Sequence, residues 1–186
     1  MSGIVGSKLN IRGSGLIGSL GTDGQHLLSA GAGKTNVFET VAAATSGLAQ
    51  LKTAVKTDVF DSTSTSMVDI TGLTVDITPS SSSNKIFVLL DYRGSIGIDS
   101  SVSGYMQLLR ETTVILDLGN VGIASASFMT TLCCMFLDNP ATTSEITYKL
   151  QGRGDGLSWG CNKNQNSGTD RTDSNITVME IAAGVL

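Results

Sequence analysis

The chain has 186 residues, of which 40% are hydrophobic and only 15% charged, with a net charge of −4, Gly 22 and Pro 2. That length suits one domain plus a shorter appendix, enough to bury a core, and the low charge excludes a fold held by surface ion pairs. Residues 1–56 set Lys8, Arg12, Lys34, Lys52 and Lys56 against Asp23 and Glu39, so the acid excess lies in the rest; an acidic head lacks the clustered bases that a phosphate backbone requires, and no nucleic-acid partner is expected.

Residues 1–40 read as an extended arm. Glycines from Gly3 to Gly33 interrupt every short apolar run, and each raises the entropy lost on ordering, so the segment is not expected to fold alone. Ile4, Val5, Leu9, Ile11, Leu16, Ile17 and Leu20 are nevertheless too apolar for a plain linker. A segment with much to bury and no means of folding alone orders against something else. These seven residues are the candidate docking contacts of an arm that becomes structured in an assembly.

Residues 41–56 turn Ala-rich. Val41, Ala44, Leu48, Leu51 and Val55 fall at alternating spacings of three and four, the seam of a coiled coil. Two heptads interrupted by Gly47 suit a linker with a helical turn or a short trimeric neck.

Residues 57–186 read as β throughout. Leu73, Val75 and Ile77 alternate with polar residues until Pro79 and the serine run stop the strand. Ile86–Leu90 is a continuous apolar run, the mark of a strand buried on both faces. Further strands are expected at Met106–Leu109, Val114–Leu118, Phe128–Leu137, Ile146–Leu150, Leu157–Cys161 and Asn175–Ile181, separated by turn residues. About eight short strands without a long helix predict an all-β, antiparallel two-sheet sandwich, jelly-roll-like, carrying the Gly-rich arm.

Cys133, Cys134 and Cys161 form no paired framework and are expected as reduced thiols, the first two on opposite faces of one strand. Met1 leads into no basic and apolar signal region, and no apolar stretch approaches the ~20 residues of a membrane helix. The expectation is cytoplasmic assembly without membrane insertion.

The chemical motifs are weak. Gly13–Gly18 matches G-x-G-x-x-G, but Gly21 and Gly24 break the helix that motif needs; Gly31–Thr35 imitates a phosphate loop with Leu28 where glycine belongs. Arg153-Gly154-Asp155 and the sequon at Asn175 are triplets of the kind such a sequence produces by chance. His26 is the single histidine and lies in the arm, a poor place for a rigidly held base. Asp58 with Asp61, and Asp170 with Asp173, lack a full calcium ligand set. No catalytic residue, metal or cofactor is expected. Trp159, with Asn162, Asn164 and Gln165 after it, has the composition of a glycan-gripping receptor loop, against the alternative of a tryptophan closing the core.

The opening Ser2-Gly3-Ile4-Val5-Gly6-Ser7-Lys8, then Leu20-Gly21-Thr22-Asp23-Gly24-Gln25, and the head phrases Val68-Asp69-Ile70-Thr71-Gly72-Leu73 and Ser144-Glu145-Ile146-Thr147-Tyr148-Lys149-Leu150-Gln151 resemble short virion and tail-fibre-like proteins of phages of aquatic bacteria. The resemblance implies a non-enzymatic structural or host-binding role in the virion of a tailed phage. It implies a homotrimer whose N-terminus is fixed to other virion proteins of tail, baseplate or capsid. A tail-associated appendage that meets a host surface glycan comes first, a capsid decoration (cement) protein or head fibre second, and a glycan-degrading enzyme a distant third.

Overall fold

The computed structural model describes residues 10–11, 15–16, 25–28, 37–40, 47–96, 104–120, 129–156, 158–164 and 172–185. They contain strands and no helix. The chain divides into two compact units, residues 1–45 and 46–186.

In the first unit, β1 (Asn10–Ile11) pairs with β2 (Gly15–Leu16), and β3 (Gln25–Leu28) with β4 (Val37–Thr40), all antiparallel. Short antiparallel pairs therefore stand within the segment expected as an extended docking arm.

The second unit holds β5 (Leu48–Lys56), β6 (Phe60–Ser62), β7 (Val68–Ile77), β8 (Lys85–Ile96), β9 (Tyr105–Arg110), β10 (Thr113–Asn120), β11 (Thr130–Asp138), β12 (Ile146–Arg153), β13 (Trp159–Cys161) and β14 (Ser174–Ile181). The smaller sheet has the order β10-β9-β12-β7. In the larger, β11 and β14 flank β8, β5 pairs with β14, and β13 with β6 carries on along β8 beyond the end of β14. The pairs are nested: β5 with β14, β7 with β12, β8 with β11, β9 with β10. First pairs with last and the middle two form a hairpin, so the chain wraps as a jelly roll. The expected sandwich is there.

Alternation makes the core. Ile70, Leu73, Val75 and Ile77 of β7, Ile86, Val88 and Leu90 of β8, and Ile146, Tyr148 and Leu150 of β12 point between the sheets with Ile176 and Val178 of β14. Each buried aliphatic side chain stabilises the fold by about 1.5–3 kcal/mol. Thr71 and Gly72 both face outward in β7, and the register against β12 shifts there. Gly72 has φ +88°, which a side chain would strain, and this bulge returns Leu73 to the inner face.

Of the 41–56 segment, Val41 and Ala44 lie outside the described residues, and residues 48–56 differ from their expected form. Leu48–Lys56 is neither linker nor helical neck but an edge strand of the larger sheet, and the head unit begins at Ser46 rather than at residue 57. The register shifts where Leu48 and Gln50 face Ile181 and Glu180. That irregularity gives Leu48, Leu51 and Val55 their helix-like spacing while all three stay exposed.

Candidate assembly surface

Two sheets give two outer faces, and they differ. On the smaller sheet Lys149 pairs with Asp69 at 2.9 Å, Gln151 donates to Asp69 at 2.6 Å, Gln107 donates to Gln151 at 2.7 Å and Thr147 to Asp76 at 2.6 Å. This is the polar, solvated face that an antiparallel sheet ordinarily carries.

The larger sheet is apolar outside as well as inside. Across four of its strands, β5, β14, β8 and β11, one row is Leu51, Met179, Phe87 and Leu137; the next is Thr53, Thr177, Leu89 and Met135; the third is Val55, Asn175, Asp91 and Cys133. Leu51, Val55 and Met135 are 51%, 57% and 68% exposed, and Leu48 and Leu137 are exposed beside them. A shallow depression of about 360 Å³ lies on this face, lined by Leu89, Asp91, Cys133, Met135 and Asn175. Its charges are internally matched, since Arg93 pairs with Asp91 at 3.3 Å. Loss of solvent, together with the Asp91 carboxylate 3.4 Å away, holds the Cys133 thiol above its usual pKa. Cys134, its neighbour, turns toward the core, and all three cysteines are free.

The residues expected to form a receptor loop are placed otherwise. Trp159 is fully buried and stacks at a tilt on Phe60, ring centroids 5.4 Å apart. Gly152 lies against it so closely that a Cβ there would stand 2.8 Å from the indole. Asn162 is also fully buried, its amide donating to the carbonyls of Lys56 and Asp58 at 2.7 and 3.1 Å and its oxygen accepting from Ser174 at 2.6 Å. Asn164 is buried too. Trp159 and Asn162 close the junction of β5, β6 and β13, and the buried indole offers no face to a sugar; the alternative of a tryptophan closing the core is the one that holds. Gln165 lies outside the described residues. The apolar neighbours that pull Trp159 inward come from distant strands, so local composition gave no sign of them.

Of the arm residues, Ile11 stands in β1 and Leu16 in β2, while Ile4, Val5, Leu9, Ile17 and Leu20 lie outside the described residues. His26 is exposed in β3. Asp58 pairs with buried Lys56 at 2.8 Å and Asp61 pairs with Lys163, so these two carboxylates serve separate partners. The Arg153 guanidinium stacks 3.8 Å over Tyr105 and binds Asp155 at 3.0 Å, which turns the two charged side chains of the Arg-Gly-Asp triplet onto each other. Among the described residues no cluster of metal-ligating side chains occurs, and no helix is long and apolar enough to cross a membrane.

The outer-face residues of β5 and β14 escaped the sequence reading. The signal was the continuous apolar runs of β8 and β11, which speak of burial on both faces where this chain covers only one.

No family model matches the chain, and no curated protein matches it. Among solved structures it is similar to the VP2 subviral particle of infectious bursal disease virus, with 10% identity and a TM-score of 0.44 over 86% of this chain and 43% of that one. It is also similar to T=1 particles derived from infectious bursal virus, with 11% identity and a TM-score of 0.42 over 94% and 44%. Dimeric latent PorU from Porphyromonas gingivalis follows, with 10% identity and a TM-score of 0.36 over 77% and 14%. The chain spans less than half the length of each.

Proposed function

We propose that this chain is a structural virion protein, without enzymatic activity, that assembles with copies of itself and with other virion proteins. In its finer form the proposal is a trimeric tail fibre or tail-associated host-binding appendage of a tailed phage, fixed to the particle through the N-terminal unit. The observation that carries it is a jelly-roll head that turns an apolar sheet outward and fills its interior with side chains. Jelly rolls serve capsid, lectin and cupin domains alike. A cupin works inside its barrel, and here Trp159, Tyr92, Tyr148 and Leu150 occupy that space. The phage-like phrases around Ile4, Val68 and Ile146 supply the tail reading, and host contact falls to some surface other than Trp159. Gold-labelled antibody on intact particles tests the proposal. Label on the tail supports it, label spread over the head transfers the chain to capsid decoration, and no label on particles overturns it. Turnover of host polysaccharide by the pure protein would overturn the non-enzymatic part.

A further inference from the structure

The apolar outer face of the larger sheet needs an occupant, and we infer that it is the same face of another copy of this chain, so that the β5-β14-β8-β11 sheets form the interface of the oligomer. The inference rests on the self-assembling reading above and names the surface that reading left open.

Three observations point to a second copy. The first is patterning. Phe87 and Leu89 of β8, and Met135 and Leu137 of β11, continue the apolar pattern onto the side away from the core. Strands written in this way are covered on both faces in their working state.

The second is area. Four strands about 4.8 Å apart, each about eight residues long, make a face of roughly 500 Å² in projection. Monomeric proteins rarely expose contiguous apolar patches beyond a few hundred Å². In a closed ring each face is covered by its two neighbours together, which removes about 500 Å² per copy and about 1,500 Å² over a trimer, comparable to a standard interface.

The third is charge. Asp91 and Arg93 neutralise each other within the face, while the chain as a whole is at −4. An acidic protein that meets itself does so best where its own charge is cancelled, because like charges brought together there would oppose association. Lys85, at the start of β8, stands on the same face, so the face carries none of the chain's acidic excess. The most exposed apolar residues sit on the two outer strands, Leu51 and Val55 on β5 and Met135 and Leu137 on β11. Cyclic contacts bring one side of a face against the other side of its neighbour's, so β5 of one copy meets β11 of the next.

The full chain, with Leu51→Glu and Met135→Glu as separate variants, tests this by sedimentation equilibrium. Near-UV circular dichroism from the buried Trp159 reports whether each variant keeps its fold. The wild type is expected to sediment as an oligomer and each folded variant at the single-chain mass. Site-resolved maleimide labelling adds a readout independent of the variants' folding: Cys133 is expected to be protected in the wild-type oligomer and modified once dilution dissociates it. An oligomer that persists in both folded variants, or a Cys133 that labels freely within it, overturns the assigned face while leaving self-assembly standing. A wild type that stays monomeric at high concentration overturns both, and one that remains monomeric yet binds neutral lipid vesicles through Met135 gives the face to another occupant.

Discussion

Arg110 in β9 of the smaller sheet donates to both carboxylate oxygens of Asp138, the last residue of β11 in the larger sheet, at 2.9 and 2.7 Å. Tyr148 of β12 donates its hydroxyl to the same carboxylate at 2.6 Å. Burial raises the Tyr148 phenol far above its usual pKa, and the adjacent Asp138 raises it further, so it remains a donor at all working pH. One carboxylate thus ties three strands from two sheets at one end of the sandwich.

Removing that carboxylate orphans two donors at once. Asp138→Ala should cost about 3 kcal/mol, with Arg110 recovering part of its loss through water, whereas Tyr148→Phe should cost about 1 kcal/mol. Thermal melts of the two variants check the ranking. Equal losses would mean that the Arg110 pair contributes little.

A second carboxylate gives the fold its acid sensitivity. Glu180 is fully buried and accepts from Ser80 N at 2.7 Å, Asn84 Nδ2 at 2.6 Å and Gln50 Nε2 at 2.5 Å. Burial alone would raise its pKa, but hydrogen bonds from Asn84, Gln50 and Ser80 outweigh burial and hold it below the ordinary 4.5. A carboxylate depressed in the folded state stabilises above its unfolded pKa, and that contribution is lost as pH falls through the folded value. Stability should therefore decline from about pH 4.5 downward, more steeply in the wild type than in Glu180→Gln. Identical acid limbs in denaturant titrations would remove Glu180 from the account.

Trp159 makes the receptor question measurable. Its indole is buried against Phe60, and its Nε1 hydrogen meets no acceptor among the described residues. Trp159→Ala should cost about 3–5 kcal/mol through the cavity it leaves. Trp159→Phe should cost less, because it also removes an unpaired donor. Native emission should be blue-shifted and unchanged by host glycans. A glycan-induced shift would mean that the loop opens to present the ring.

The truncation boundary follows from β5. A chain beginning at Ser46 keeps the strand that pairs with β14 and should unfold cooperatively. A chain beginning at residue 57 exposes the β14 edge and removes the Lys56 carbonyl that accepts from the buried Asn162 amide. It should melt without a cooperative transition. Scanning calorimetry of both chains decides between them.

Most of the head was legible because inward residues recur every second position from Leu73 to Ile77 and from Ile146 to Leu150, and a single alternating face is a local property. β5 was not, because it presents apolar Leu51 and Val55 outward and polar Gln50 and Lys56 inward, where Glu180 and Asp58 receive them. Only long-range partners make that inversion stable. The same holds for Asn162, which lies among polar residues in sequence and at a sealed junction in space. The candidate surface was half legible, as apolar runs too long for a one-sided sheet.

The seven arm residues carry their own expectation. Replacing Ile11, Leu16 and Ile17 with Asp places charges where burial against the particle is proposed, at a total cost of several kcal/mol, roughly one to three per site. The head should fold and self-associate as before, while the protein disappears from purified particles. Normal incorporation would assign docking to the head.

The most direct measurement is a reconstruction of the intact particle at a resolution that shows strands. Jelly-roll heads are expected in groups of three on the tail, joined through the β5-β14-β8-β11 sheets, with the N-terminal unit against the tail. Heads that stand singly with that sheet open to solvent, or a particle without this chain, would contradict that arrangement.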